Sequence, residues 1–287
     1  MTKRGLSWLA SYPKSGNTWF RVVLSAYLGS DETELDLNAL QTGMIGSSRL
    51  WVDDVAGFDT ADLTAPEIER LRPHAYRWSA LHDGVAGYHK IHDAYLYNDA
   101  GEPIVDPVAT LGAVYLLRNP LDVAPSFAAH LAVDIERAIT LMANPDASLS
   151  RDGKGLNMQL VQRLGTWSSH VESWVNAAEI SCHVLRYEDM HATPQQSFAA
   201  AFAALGLTVD HAKLARAISM AEFDKLAHLE QSAGFRERPS KAKKFFRSGK
   251  VGGWRHSLTP DQVARIIAEH GVVMQRMGYL DAQGQPI

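Results

Sequence analysis

The sequence has a single cysteine, Cys182, among its 287 residues. That excludes an internal disulfide framework and fits a reducing compartment. It has no run of about 18 apolar residues and no long apolar core near its start, so neither a membrane span nor a secretory signal is expected. It lacks a strong charge of either sign: the net charge of −4 gives no reason to expect nucleic acid or an anionic membrane as the main partner. Internal repeats and low-complexity tracts are absent. So is Gly-x-x-x-x-Gly-Lys-Ser/Thr, which removes the Walker A phosphate loop. What is present is 46% hydrophobic residues, enough for one sizeable core. The default is a single domain over residues 1–287, cytoplasmic, of α/β class.

The chain is organised around Ser11 to Trp19. Leu6 to Ala10 reads as a short buried strand, and Phe20 to Leu28 carries apolar residues at helical spacing. A strand that turns through Pro13, Lys14, Ser15 and Gly16 into a helix makes an anion cradle. Free N–H groups of the first turn converge, the helix dipole favours negative charge, and the lysine adds a full positive charge.

Residues 30–64 lose periodicity and read as a loop-rich excursion anchored by Trp51 and Phe58, and Pro66 opens a helix over Glu67 to Leu81. Ala86 to Asp93 alternates as a strand that ends in polar residues. Polar residues at a strand's carboxyl end are where open α/β sheets place ligands. Lys90 and His92, two apart, share one face, while His89 is a competitor that alternation points the other way. A histidine able to take a proton and a lysine able to neutralise charge suit transfer of an anionic group. Ala113 to Arg118 is the clearest buried strand, and Asn119-Pro120 stops it. A helix follows to His130 with Asp122 in its first turn, Ser126 further in, and Pro125 expected to bend it or delay its start. Residues 143–157 are a loop by composition, Trp167, Val171, Trp174 and Val175 form a helical stripe, and His183 to Tyr187 is another strand. Pro194 to Leu229 is helical with a break near Gly206 to Asp210, and a last helix spans Pro260 to Met277. A third excursion, around 232–259, carries Arg236, Arg238, Lys241, Lys243, Lys244, Arg247 and Lys250. Like charges and little apolar bulk imply that 232–250 is mobile until an anion arrives.

Four of these strings resemble the PAPS-dependent sulfotransferases of cytosolic type, with a bacterial member expected (PAPS is 3′-phosphoadenosine 5′-phosphosulfate). Tyr12-Pro13-Lys14-Ser15-Gly16-Asn17-Thr18-Trp19 is similar to that family's 5′-phosphosulfate loop, its most distinctive string. Lys90-Ile91-His92 resembles its Lys-Thr-His strand end. Leu117-Arg118-Asn119-Pro120-Leu121-Asp122-Val123, with Ser126, resembles the signature whose arginine and serine hold the donor's 3′-phosphate. Phe246 to Trp254 is similar to Arg-Lys-Gly-x-x-Gly-Asp-Trp, the other half of that phosphate site, but Ser248 stands where lysine is usual and Gly253 where aspartate is usual. Weaker likenesses place Tyr187 near the donor nucleotide and Phe223 near the adenine, with Ala221 replacing a hydroxyl residue.

The resemblance implies a P-loop-like three-layer α/β fold, with a central parallel sheet of about five strands and helices on both faces. It implies sulfuryl transfer from PAPS to a hydroxyl, or less often an amine, of a small-molecule or natural-product acceptor, leaving adenosine 3′,5′-bisphosphate (PAP) and needing no metal. His92 is then the general base. Lys14, helped by Lys90, stabilises the leaving phosphate. Ser15, Gly16, Asn17 and Thr18 hold the 5′-phosphate, Arg118, Ser126, Arg247 and Gly249 the 3′-phosphate, with Phe246 and Ser248 beside them. Trp19 and Phe223 flank adenine. A homodimer stays open, since only Thr259 remains of the family's dimerisation pattern. Two rivals are a P-loop-type nucleotide kinase and a non-catalytic nucleotide-binding protein.

Overall fold

Strand β1 (Leu6–Ser11) is buried at every position, as its largely apolar sequence requires of a strand covered on both sides. It pairs in parallel with β2 (Gly87–Ile91) in a register that sets Leu9 beside Lys90 and Ala10 beside Ile91. The next residues along are Ser11 and His92, so this register decides where the histidine sits. β3 (Thr110–Leu117) and β6 (Cys182–Arg186) complete a sheet of order β2-β1-β3-β6. The fold is α/β with a central parallel sheet and helices on both faces, and the described sheet has four strands rather than about five. The residues themselves had offered four strands; the fifth came from the family likeness.

The structure is a computed structural model that describes residues 4–30, 34–82, 87–150, 157–238 and 244–287. Ala86 at the start of the expected second strand, the middle of the 143–157 loop, and Lys241 and Lys243 of the basic stretch lie outside those residues. With them goes the centre of the segment expected to be mobile.

Two compact units share the chain. The first takes residues 1–12, 42–115 and 144–184 and holds most of the sheet. Its helices are α2 (Arg49–Ala56), α3 (Ala65–His82) and α6 (Trp167–Val175). The stripe on α6 is buried as expected at Trp167, Val171 and Trp174. A short antiparallel pair, β4 (Ser148–Leu149) with β5 (Gln162–Arg163), lies inside what composition reads as loop. The excursion over 30–64 also contains a real helix, α2, capped by the Ser48 side chain accepting from the Trp51 amide. Trp51 is an anchor, buried with its indole N–H donating to Ser79, whereas Phe58 is half exposed.

The second unit takes residues 13–41, 116–143 and 185–287. It contains α1 (Asn17–Leu28), α4 (Pro120–Leu131), α5 (Ile135–Met142), α7 (Tyr187–Ala192), α8 (Pro194–Ala204), α9 (His211–Met220), α10 (Phe223–Ala233) and α11 (Pro260–Arg276). Pro125 does not delay α4, which starts at Pro120 behind an Asn119 cap and runs through it. Thr259 and Gln262 form a capping box on α11, satisfying two orphan amides reciprocally. Among the described residues no helix is long and apolar enough to cross a membrane.

Candidate active site

Within the second unit, Lys14, Trp19, Arg118, Tyr187, Phe223 and Gly249 are brought together by the contacts that follow. After Pro13 the backbone turns through Lys14 (φ 72°) and Gly16 (φ 94°), both left-handed, and α1 begins at Asn17. A lysine in that region costs about 1 kcal/mol or more and persists only where its surroundings fix it. Arg118 does so: its Nη1 donates to the Lys14 carbonyl at 3.1 Å, while Nη2 donates to the Lys250 carbonyl at 3.1 Å. One guanidinium therefore ties the Lys14 loop to the glycine-rich loop after Arg247, and it lies over the Tyr187 ring at 4.2 Å. The first helical amide to bond within α1 is that of Phe20, to the Gly16 carbonyl. The amides of residues 17–19 thus have no carbonyl of their own helix to use, and Gly16 offers no side-chain cap.

Two polar atoms here fit an anionic ligand. The Ser15 hydroxyl and the Arg118 Nε are buried with no hydrogen-bond partner among the described residues. Buried polar atoms are costly to leave unpaired, so orphans beside a turn of amides and a guanidinium mark a place built for oxygen atoms of a ligand. Asn17 and Thr18 are also buried, Ser126 is half-buried, and Arg247 and Ser248 are exposed.

The loop from Arg247 to Trp254 is held from beneath. Both oxygens of Asp122 accept backbone amides, Gly252 at 2.7 Å and Trp254 at 2.9 Å. Tyr187 donates its hydroxyl to the Gly249 carbonyl at 3.0 Å. Gly249 has φ 61°, and a methyl group there would collide with the Phe223 ring. If this loop holds the 3′-phosphate, as the resemblance implies, Gly249→Ala should weaken PAP binding tenfold or more, at about 1–2 kcal/mol for the backbone and the displaced ring. Calorimetric titration checks this, and an unchanged Kd would show that the loop does not touch the ligand.

Sequence reasoning missed several supports. Glu230, buried on α10, accepts the amides of Phe245 (2.7 Å) and Phe246 (3.0 Å). Phe245 in turn lies under the Lys14 ammonium, 4.2 Å from ring centre to nitrogen. Glu188, half-buried on α7, accepts from the Asn119 amide and the Tyr279 hydroxyl, and desolvation raises its pKa. A buried acid on an α-helix has no spacing signature, so only the fold reveals these. Trp19 is packed among Tyr187, His191 and Phe198, which makes it part of an aromatic cluster.

The other predicted group lies within the first unit. His92 Nδ1 is 2.8 Å from the Ser11 carbonyl and 3.1 Å from the Ser11 hydroxyl. A carbonyl only accepts, so Nδ1 carries the proton and Nε2 is the basic nitrogen. His89 is buried on the face shared with Trp8, stacked on Trp51 at 4.4 Å, with Nδ1 2.9 Å from the Met44 carbonyl. Lys90, between them, is half-buried. His170, fully buried on α6, uses both ring nitrogens: Nε2 donates to the His92 carbonyl and Nδ1 accepts from the Tyr115 hydroxyl.

Burial pushes the pKa of His170, and that of His270 on α11, down to about 4. Both are neutral in the folded protein and would protonate near 6.5 if unfolded. Their stabilisation is complete above about pH 6.5 and is lost as pH falls towards 4, up to about 3 kcal/mol each. Urea midpoints at about pH 7.5 and pH 5 should differ accordingly. Equal midpoints would contradict buried neutral histidines.

A left-handed turn into a helix N-terminus, with a basic loop fastened to it, makes a cradle suited to an anionic, phosphorylated ligand. The sulfotransferase domain family model matches residues 110–278, more than half of the chain, and the chain belongs to that family. It is a sulfotransferase, of the class that draws its sulfuryl group from PAPS. Cytosolic sulfotransferase 16 of Arabidopsis thaliana is 26% identical over 274 residues, covering 90% of this chain and 72% of the relative. Flavonol 3-sulfotransferase of Flaveria bidentis is 23% identical over 271 residues, covering 90% and 78%. A mouse sulfotransferase complexed with PAP superposes with a TM-score of 0.61 at 18% identity, covering 96% of this chain and 86% of that one. Retinol dehydratase, complexed with androsterone and inactive cofactor PAP, gives 0.64 at 17% identity, covering 96% and 82%. At those identities the two structures attest the fold.

Proposed function

We propose that residues 1–287 act as one cytoplasmic sulfotransferase domain that moves the sulfuryl group of PAPS to a hydroxyl, less often an amine, of a small-molecule or natural-product acceptor. The observation that carries the reading is the double bond of Arg118 to the carbonyls of Lys14 and Lys250, beside the orphaned Ser15 hydroxyl. Bound PAPS would supply an electrophilic sulfur whose leaving group is a phosphate. Amides of residues 15–18 and the Thr18 hydroxyl hold the 5′-phosphate. Arg118, Ser126, Arg247 and Gly249 hold the 3′-phosphate, with Phe246 and Ser248 beside them and Lys250 near enough in sequence to offset the missing lysine at 248. Trp19, Tyr187 and Phe223 border the nucleoside.

The chemistry then follows from charge flow. His92, its Nδ1 proton committed to Ser11, takes the acceptor's proton on Nε2 as the acceptor oxygen bonds to sulfur. Lys14 neutralises the phosphate oxygen that receives the electron pair of the broken sulfur–oxygen bond, and Lys90 adds a second positive charge. Ser11, which orients the base, is three residues upstream of Lys14 in the sequence. The protein's own cations supply the neutralisation, so no metal is invoked.

In this reading Ser126, Arg247 and the unpaired Nε of Arg118 serve a 3′-phosphate. PAP at a hundredfold excess over its Kd should therefore raise the melting temperature by about 5 °C or more, and AMP or ATP by much less. Equal shifts for all three would sink the assignment.

A further inference from the structure

The peptide that carries His92 is held at each of three successive backbone groups. The His92 carbonyl accepts from His170 Nε2 at 2.9 Å, and the Asp93 carbonyl from Trp174 Nε1 at 3.0 Å. The Ala94 amide donates to the Arg163 carbonyl at 2.8 Å. The Asp93 side chain is fixed as well. Arg72, from α3, donates Nη1 to Oδ1 (3.0 Å) and Nη2 to Oδ2 (2.7 Å), and the Arg163 amide adds a third bond to Oδ1. Arg72 Nε donates to the Tyr76 hydroxyl, which donates to the Gly46 carbonyl.

Arg72 and Asp93 are both fully buried, and such a pair is a poor choice for stability alone. Apolar residues of the same volume usually hold two elements together as well or better, because burying both charges costs several kcal/mol in desolvation. What a guanidinium–carboxylate fork adds is direction: two parallel bonds fix orientation as well as distance. The same holds for His170. A phenylalanine would fill its place between α6 and the strand end, but only a neutral imidazole can donate to a carbonyl and accept from a tyrosine at once. The depressed pKa of His170, about 4, keeps it in that neutral form.

We infer that His170, backed by Tyr115, and the Arg72–Asp93 pair are positioning residues that aim His92 by clamping the backbone of residues 92–94. With that backbone fixed, the His92 ring keeps only its two side-chain torsions, and the Nδ1 bond to Ser11 sets those. The consequence for the reaction rests on reading His92 as the base; the clamp itself does not.

The test reads the clamp and the rate separately. Nitrogen-15 correlation spectra of the imidazoles should show His92 as a single Nδ1–H tautomer in the wild type. His170→Phe should give a mixed, averaged tautomer, and His170→Gln, which restores an N–H donor, should bring the single tautomer back. Turnover of PAPS with a phenol panel should fall about 10–100-fold in His170→Phe, the cost of a base displaced by about an ångström, with PAP affinity within about twofold. In a His92→Ala background His170→Phe should cost nothing more. A single His92 tautomer and unchanged turnover in His170→Phe would overturn the inference, as would a further loss in the His92→Ala background. Asp93→Asn strands a buried guanidinium and is expected to unfold the chain, so the His170 pair carries the test, with melting temperatures as the control for folding. If His92→Ala turns over normally, the base reading fails alone and the tautomer spectra still decide the clamp.

Discussion

His92→Ala is expected to slow turnover about 10²–10⁴-fold, the worth of a positioned base, while leaving PAP affinity within about twofold. The affinity should hold because every residue proposed to hold the nucleotide lies in the stretches 14–19, 118–126, 187 and 223–250, none of which includes the histidine. The informative partner is His89→Ala. His89 is buried, stacked on Trp51 and bonded to the Met44 carbonyl, so its removal opens a cavity in a packed aromatic cluster. It should cost about 2–4 kcal/mol of stability and, at a temperature where the protein stays folded, change turnover little. A silent His92 with a dead but folded His89 would mean that the base had been assigned to the wrong histidine. If both variants turned over normally, the base would lie elsewhere.

Lys14→Ala is expected to damage binding and turnover together. On the proposed mechanism the ammonium meets donor phosphate in the ground state and the leaving oxygen in the transition state, so its loss is felt twice. Losing one charged hydrogen bond weakens donor affinity by about 1.5–3 kcal/mol, or roughly ten- to a hundredfold. Losing the neutralising charge slows transfer by about a further 10²–10³-fold. In the free protein the ammonium lies over Phe245, whose amide Glu230 holds, so Phe245→Leu should affect donor binding far less than Lys14→Ala. Kd for PAP and single-turnover rates separate the two losses. A Lys14→Ala variant that loses affinity but keeps its rate once saturated would remove the lysine from the transition state.

Much of this was legible before the fold was known, for reasons that differ by element. Leu6–Ala10 and Ala113–Arg118 were readable because burial on both faces leaves a short apolar run, and the stripe on Trp167–Val175 because burial on one face writes a helical period. The turn at Lys14 and Gly16 was readable because a left-handed turn into a helix favours glycine and a proline before it, whereas 118–126 and 246–254 stood out through the family likeness. The helix Arg49–Ala56 was hidden, since it is short, buries only Trp51 and Val52, and shows no clear stripe. Asp93, His170, Glu230 and Glu188 were hidden for another reason. Each acts across the fold on a residue some 15 to 80 positions away, and nothing in the local sequence marks a carboxylate that will meet backbone amides or an imidazole that will meet a carbonyl. The departure at Gly253 became interpretable only with coordinates. Asp122 already holds the amides on either side of Gly253, and a side chain there would come up against the same carboxylate.

The central claim is the transfer itself, and the direct measurement uses PAPS carrying radioactive sulfur. The purified protein is incubated with a panel of phenols, sugars, lipids and peptide natural products, with and without a chelator of divalent cations. The account expects label to move into at least one acceptor, PAP to appear in equal amount, the chelator to make no difference and Lys14→Ala to abolish the transfer. Phosphate passing from ATP to an acceptor in a magnesium-dependent reaction, with PAPS left intact, would contradict it.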